Sequence, residues 1–378
     1  MKKLKILFIA NGGHLYGDNK SLLQTIIAMK DSVTPMVGMV DEGLMADELR
    51  KNGIPYSKIR NTMSPHLLKL GEVKLLYQIS RFPFYVIRSI ITFFQLLKIV
   101  RRFQPDIIHS NNSFLYAGNI VSKTKHIPHV WHLREYIDKD HKMQIPREKY
   151  FFRNIKSSFC IAVSQGVFQH RHLQYGKDAV IYDGIFSENE LLPYQTDKEN
   201  YFLFSGRLIP TKGLMELVEA FIQFLKIDPS YKLVIAGEGD EDFVQSVKDL
   251  INKEGLTSQI EFLGFIKDIR SLMAKAKALI VPSYFEAQGR ITAEAMLLGC
   301  FVIGKNTAGT KELLENDNSG ILYSTHAELV EAMRKVSLFD NDFIAGLNLK
   351  AKESALKRYT CEINAKTMID FYHSTLIN

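Results

Sequence analysis

The sequence predicts an α/β protein of two domains, each a parallel sheet wound with helices on both faces, and three observations carry that prediction. The chain, at 378 residues, exceeds what one ordinary hydrophobic core organises. Strand-like and helix-like segments alternate along it, the pattern of a doubly wound sheet. Each half also opens with the same order of strand, glycine-bearing loop and helix. A hydrophobic content of 46% beside 24% charged residues is that of a folded globular chain, with nothing to suggest disorder.

In the first half, residues 5–10 read as a strand, 11–17 as a glycine loop and 20–29 as a helix. Basic residues precede this apolar run, as in a signal peptide, but Ile6 to Ala10 is interrupted at once by Asn11, which favours a strand. Residues 34–40 and 55–59 are short strands around a helix at 44–51. Residues 66–104 have a helical period, broken in composition by Gly71 and Pro83. The most apolar part, Phe82 to Val100, holds Arg88 and Lys98 and falls short of a span of about 20 apolar residues, so no transmembrane helix is expected. Residues 106–109 form a strand entering the polar cluster Ser110 to Ser113. The strand at 129–133 runs on into Arg134 and Glu135, and strands at 159–163 and 179–182 complete a first domain of residues 1–190.

Residues 191–200, polar and containing Pro193, read as a linker opening a second domain of residues 191–358. Its strands are expected at 201–205, 231–236, 260–263, 278–281 and 301–303. Helices are expected at 214–225, 241–253, 269–275 and 291–298, and the first places Leu214, Leu217, Val218, Phe221 and Leu225 on one face. Helices over 326–338 and 342–376 close the chain, and the C-terminal helix of residues 359–378 is a candidate to pack back on the first domain.

The charge is uneven. Residues 1–190 hold 27 Lys and Arg against 16 Asp and Glu, a balance of +11, and the remainder is −4. A basic half suits nucleic acid, anionic lipid or an anionic substrate, and the absence of zinc-ligand spacing or a nucleic-acid signature disfavours the first. Cys160, Cys300 and Cys361 are odd in number and widely spaced, as expected of reduced core residues in a cytoplasmic protein.

The densest chemistry lies in Ser283 to Gly299, where an apolar strand stops at Pro282, a loop carries Glu286 and a helix carries Glu294. Two carboxylates separated by seven residues would flank a helix N-terminus, whose free N–H groups attract an anion. The helix dipole by itself also favours glutamates there. Arg207 can grip phosphate bidentately and Lys212 as a point charge; they can equally be surface charges around a turn.

Ordered motifs then carry a family resemblance. FSGRLIPTKG (204–213), VIAGEGDE (234–241), FLGFIKDI (262–269), YFEAQGRITAEAM (284–296) and NTAGTKELLENDNSGILY (306–323) resemble the nucleotide-sugar-binding domain of retaining family 4 glycosyltransferases. The first half matches less densely through LYGDNKSLL (15–23), DIIHSNNS (106–113), VWHLRE (130–135), AVSQGV (162–167) and VIYDGI (180–185). The resemblance covers nearly the whole chain. It implies the GT-B fold, two Rossmann-like domains facing across a cleft.

The same resemblance assigns roles. It implies that Glu286 contacts the donor sugar, Glu294 the ribose, and Arg207 and Lys212 the diphosphate on which charge grows. It places Gly206, Gly289, Arg290, Ile291 and Thr292 along the donor phosphates and Phe265 and Ile266 at the base. Gly17 is the glycine that approaches the diphosphate from the first domain, an assignment that Gly12 and Gly13 leave ambiguous. His132 is expected near the reacting sugar, although a lone histidine is as often structural. Asn111, Arg134 and Glu135 are candidate acceptor contacts, with a strand-end turn an equal reading.

Two departures from the family pattern bear on this. Ala287–Gln288 replaces the commoner Pro–Phe, which leaves the donor sugar open, and Asp183 stands where Asn before glycine is usual. No Asp-x-Asp motif follows an apolar strand, since Asp138–Lys139–Asp140 and Asp340–Asn341–Asp342 lie in charged or connecting turns, so no metal or other cofactor is expected.

The implied activity is transfer of a sugar from a nucleoside-diphosphate donor, a UDP-sugar, to a saccharide or lipid-linked acceptor in cell-surface polysaccharide or glycan synthesis. A catalytically silent GT-B subunit supporting a partner transferase is disfavoured by the presence of Arg207, Lys212, Glu286 and Glu294. A GT-B sugar-nucleotide epimerase is disfavoured by the motif order. Residues 66–104 could present a basic and apolar surface to anionic lipid on the inner face of the cell membrane; a crossover helix with a solvated basic edge explains them as well.

Overall fold

The protein is described by a computed structural model covering residues 3–15, 17–60, 68–69, 75–139, 143–144, 148–315 and 319–377. The chain forms two units, Met1–Gly184 with Cys361–Asn378 and Ile185–Thr360. The first comprises β1 (Leu4–Ala10), α1 (Gly17–Met29), β2 (Val33–Met39), α2 (Leu44–Lys51), β3 (Tyr56–Lys58), β4 (Leu68–Lys69), α3 (Leu75–Phe103), β5 (Ile107–Ser110), α4 (Tyr116–Lys125), β6 (His129–Leu133), β7 (Met143–Gln144), α5 (Glu148–Lys156), β8 (Phe159–Ala162), α6 (Gln165–His170) and β9 (Ala179–Val180). Its main sheet has the order β3-β2-β1-β5-β6-β8-β9, with every pairing parallel. The central strands β1, β5, β6 and β8 are largely buried, as strands covered on both faces are, and β5 and β6 carry buried His109, Ser110, His129 and His132 among their apolar residues. On one face Ile6, Phe8 and Ile107 pack with residues of α1 and α2. On the other, Leu7, Ile9 and Ile108 meet Leu96, Ile99 and Val100 of α3.

The second unit comprises β10 (Glu199–Ser205), α7 (Leu214–Leu225), β11 (Lys232–Ala236), α8 (Glu241–Lys253), β12 (Ile260–Gly264), α9 (Arg270–Lys275), β13 (Ala276–Val281), α10 (Arg290–Leu297), β14 (Phe301–Lys305), α11 (Ala308–Glu315), β15 (Gly320–Tyr323), α12 (His326–Ser337) and α13 (Asn341–Tyr359). Its parallel sheet runs β12-β11-β10-β13-β14-β15. Both sheets therefore start in the middle, build outward one way and then reverse. Each has a switch point at the carboxyl ends of its first strand and the neighbour on the returning side, which is where ligands of such sheets bind.

Three details depart from the sequence reading. The segment read as a linker is built into the second unit: the Lys198 ammonium donates to the carbonyls of Ala274 and Gly299 at 2.6 and 2.7 Å, and Ile185 N–H donates to the Tyr359 carbonyl at 2.8 Å. The long last helix is two helices, α13 and α14 (Cys361–Ile377), broken at an extended Thr360 that bridges Phe186. There the backbones pass so closely that a Cβ on Gly184 would lie 2.7 Å from Cys361 Cα. Finally, α4, α5, α6, α11, β7 and β15 were not anticipated, and β4 at Leu68–Lys69 falls in the stretch read as helical, whose helix α3 begins at Leu75. Helix α14 lies on α1, with Met368 and Tyr372 in the first core and Thr25 Oγ1 donating to Asn364 Oδ1 at 2.7 Å. All three cysteines are buried thiols. Gly71 and Asp140 lie outside the described residues.

Candidate functional site

In the second unit the site is built by backbone crossings that glycine alone permits. After β10, Leu208 N–H donates to the Glu238 carbonyl at 2.9 Å and Asp240 N–H to the Leu208 carbonyl at 3.0 Å. A Cβ on Gly237 would stand 1.9 Å from the Gly206 carbonyl oxygen, and one on Gly239 2.0 Å from that of Leu208. This contact explains the spacing of AGEG: the turn after β11 supports the turn after β10, from which Arg207 projects exposed. The chain then makes a 3₁₀ turn at Pro210–Lys212 and enters α7 through Gly213, at φ 75° and backed against the Pro282 carbonyl.

That turn aims Lys212 at the loop after β13. Its ammonium pairs with Glu286 Oε1 at 2.5 Å, joining the loops on either side of the switch point. The pair is about four-fifths buried. Beyond it, Gly289 takes φ 84° and caps α10. The start of α11 packs alongside: Gly309 N–H donates to the Glu286 carbonyl at 2.8 Å, and a Cβ on Gly309 would lie 2.5 Å from the Gln288 carbonyl carbon. Thr292 and Thr310 are buried near Gly289, and neither hydroxyl has a hydrogen-bond partner among the described residues. Two helix starts and two such hydroxyls around one glycine form a cradle suited to an anion. Glu294 is buried one turn along α10, while Arg290 and Ile291 are half-buried at its first turn. Phe265 stands 60% exposed after β12, beside half-buried Ile266.

An ion pair that the sequence reading missed flanks this cradle. Lys305 donates to both oxygens of Glu216 at 2.8 and 2.6 Å and lies 4.6 Å from the ring centre of Tyr284. The signal was available, since a lysine ending a buried strand needs an acid, but its partner is 89 residues away in sequence.

In the first unit the three glycines of the turn after β1 differ in the space around them. Gly13 N–H donates to Asp41 Oδ1 at 2.6 Å, and Cβ atoms on Gly12 or Gly13 would collide with residues 41–43. At Gly17, φ 48° and the first residue of α1, no described atom lies within 4 Å of that position. Gly17 is thus the glycine with open space at a helix start. The polar cluster after β5 is buried and bonded: Asn111 and Asn112 donate to the backbone and carboxylate of Asp18 at 3.0 and 2.9 Å.

Arg134 is buried among fixed acceptors. Its Nε donates to the carbonyl and Oδ1 of Asn111, both at 3.0 Å, its Nη1 to Asp183 Oδ1 at 2.5 Å, and its Nη2 faces His132 Nδ1 at 3.2 Å. Glu135 accepts from the backbone N–H groups of Ser113 and Arg134, tying β5 to β6. Burial pushes its carboxyl up to about 7. His132 and His109 are buried with rings 5.4 Å apart, and burial followed by the Arg134 charge holds both well below the usual histidine range. His129, bonded to the hydroxyls of Ser110 and Ser158, is lowered by burial to about 3. The Asp183 that departs from the family pattern is therefore the counter-charge of a buried guanidinium. Among the described residues no group of three His, Cys, Asp or Glu side chains could hold a metal ion.

Residues 44–188 match the family model "Glycosyltransferase Family 4", and residues 193–346 match "Glycosyl transferases group 1". An uncharacterized glycosyltransferase of Methanocaldococcus jannaschii is 29% identical over 180 residues, 47% of this chain and 45% of that one. A Campylobacter jejuni α-1,4-N-acetyl-D-galactosaminyltransferase, named for an undecaprenol-linked acceptor, is 26% identical over 263 residues, 66% of this chain and 69% of that one. These matches span about half to two thirds of the relatives' lengths. The crystal structure of Anabaena HepE with UDP-glucose superposes with a TM-score of 0.76 over 98% of this chain and 100% of that one, at 23% identity. One glycosyltransferase family model falls on each unit, both units carry the parallel sheet with a central switch point, and the chain has the GT-B fold and is similar along most of its length to glycosyltransferases.

Proposed function

We propose that the chain transfers a sugar, with retention of anomeric configuration, from a UDP-sugar to a hydroxyl of a saccharide or lipid-linked acceptor in cell-surface glycan synthesis. The observation that carries this reading is the cradle of the second unit, where the Lys212–Glu286 pair joins the loops after β10 and β13 beside the starts of α10 and α11, with Arg207 exposed on the loop after β10. In the reaction the anomeric C–O bond to the diphosphate breaks and the acceptor oxygen takes its place. The acceptor's proton leaves with the diphosphate. Charge therefore grows on the leaving group, where cations and oriented N–H groups are most effective. We assign that charge to Arg207, Lys212 and the start of α10, without a metal cofactor. Glu286, released from Lys212 by the incoming phosphate, accepts from sugar hydroxyls, and Glu294 from the ribose. The α-linkage in the name of the Campylobacter relative, and the UDP-glucose bound by the Anabaena protein, support the choice of donor and stereochemistry.

Peripheral contact with anionic membrane at the cytoplasmic face is part of the proposal. Among the described residues no helix is long and apolar enough to cross a membrane. On α3, however, Phe84, Ile87, Ile91 and Phe94 follow the helical period and are 70%, 55%, 37% and 63% exposed, with Arg88, Lys98, Arg101 and Arg102 exposed on the same helix.

The test is purified protein with a panel of nucleotide sugars, reading nucleotide release with and without acceptor and the product's anomeric configuration by NMR. Unchanged turnover in a chain carrying both Arg207→Ala and Glu286→Ala would overturn the site.

A further inference from the structure

We propose that Arg134, gripped by Asp183 and Asn111, is a positioning residue that fixes the His132 imidazole with its proton on Nε2, so that His132 acts as a hydrogen-bond donor to a substrate oxygen and not as a base. The identity of that oxygen rests on the glycosyltransferase reading; the tautomer does not.

A guanidinium has five N–H donors, no acceptor, and stays charged at any working pH. Arg134 Nη2 lies 3.2 Å from His132 Nδ1, so Nδ1 must accept; a proton there would set two donors head to head. Arg134 cannot turn away to relieve such a clash. Its Nε is bonded to two Asn111 oxygens and its Nη1 to the Asp183 carboxylate, and its side chain is 6% exposed. Asp183 is itself held by the Ser21 hydroxyl at 2.8 Å, and Ser21 also reaches the carbonyl of Gly17 at 3.1 Å. A continuous set of bonds thus runs from the open first turn of α1 to the face of His132.

With Nδ1 accepting, a neutral imidazole carries its hydrogen on Nε2. That atom is buried and has no hydrogen-bond partner among the described residues. Burial and the Arg134 charge oppose a second proton, so the ring remains neutral. The neighbouring His109 offers a contrast. Its Nδ1 meets the Tyr372 hydroxyl at 2.9 Å, and a hydroxyl can donate or accept, so nothing fixes its tautomer. The difference between the two rings is the arginine, and the ligand chemistry that follows for His132 is an acceptor oxygen: a sugar hydroxyl, a ring oxygen or a phosphoryl oxygen.

Two measurements test this. The first uses the full chain labelled with ¹⁵N-histidine, with long-range ¹H–¹⁵N correlation assigning each tautomer and His132→Gln identifying the signal. We expect His132 to carry its proton on Nε2 alone throughout pH 6–8, and a chain with Arg134→Met and Asp183→Asn to show mixed tautomers. A proton on Nδ1 in the unaltered chain, or an unchanged tautomer in the double variant, overturns the proposal. Arg134→Lys alone serves if the double variant does not fold, because it keeps a charge for Asp183 but lacks the fork that reaches Asn111 and His132 together; mixed tautomers are expected, and an unchanged signal counts against Arg134. The second compares turnover of nucleotide sugar in His132→Gln and His132→Ala. A glutamine amide donates from nearly the same place as Nε2 but cannot take up a proton. Glutamine should stay within about tenfold of the original and alanine should fall roughly a hundredfold, the scale of one lost preorganised donor. Equal losses would make His132 a base and overturn the donor role. A chain that turns over no nucleotide sugar but shows the Nε2 tautomer would remove the functional reading and leave this inference standing.

Discussion

Replacing Asp183 by asparagine changes one atom and isolates the charge of the buried pair. Asp183 and Arg134 are 5% and 6% exposed at the side chain, and their contact is 2.5 Å. Removing one partner of a buried ion pair costs about 3–5 kcal/mol, because the remaining charge stays desolvated. Asparagine keeps an oxygen for Nη1, and Asn111 still accepts from Nε, which places the expected loss at the lower end, about 3 kcal/mol. For a unit of about 200 residues each kcal/mol moves the midpoint by about 2–4 °C, so the unit should melt about 6–12 °C earlier. The assay is built into the chain. Its single tryptophan, Trp131, is fully buried in this unit and donates to the Asn112 carbonyl at 2.8 Å, so its fluorescence follows the first unit. A fluorescence midpoint within about 1 °C of the original would show that the carboxylate charge does not hold Arg134.

Further outcomes follow from the same contacts. Lys212→Met should lower turnover about 10²–10³-fold and cost about 1–3 kcal/mol of stability, because Glu286 is left largely buried without its partner; steady-state kinetics beside thermal melts separate the two. Gly237→Ala, at φ 148° with its Cβ 1.9 Å from a carbonyl oxygen, should destabilise the second unit by about 3 kcal/mol in urea titration. Gly346→Ala, inside α13 with open space around it, should instead stabilise by about 0.5–1 kcal/mol. For Glu135, burial raises the folded value from 4.5 to about 7, so the folded chain binds more protons between those pH values and loses stability as pH rises through them. Glu135→Gln should therefore gain on the original by about 3 kcal/mol from pH 4.5 to 7 in Trp131-monitored urea titrations, and a constant difference would refute the assignment. Phe84→Ser with Phe94→Ser should abolish co-sedimentation with anionic vesicles at low salt; no binding by the original chain would remove the membrane proposal.

Much of this molecule is legible from its sequence because the signals are local. The burial of a parallel strand writes a short apolar run, as in LKILFIA and AKALIV, and a helix start writes its glycine and polar residues beside it. The alternation of such signals specifies two doubly wound sheets, and the order of the motifs carries the family resemblance from which the donor-side residues are proposed. The long final helix was misread because its break at Thr360 has no glycine or proline; the crossing of Gly184 against Cys361 makes it. The linker was misread because polar composition does not reveal that Lys198 will bind two carbonyls inside the second unit.

The sequence by itself determined the fold class and the strand, loop and helix order that places Arg207, Lys212, Glu286 and Glu294 on loops and helix starts of the second unit. Which charges pair was left to the tertiary structure. Lys212 and Glu286 lie 74 residues apart, and Arg134 and Asp183 lie 49 apart. Neither separation carries a periodicity that could be read along the chain, because strands adjacent in a parallel sheet are distant in sequence. The same folding that brings those groups together removes them from water, and it is the resulting burial that keeps His132 neutral, raises Glu135 and makes Asp183 a structural necessity for Arg134.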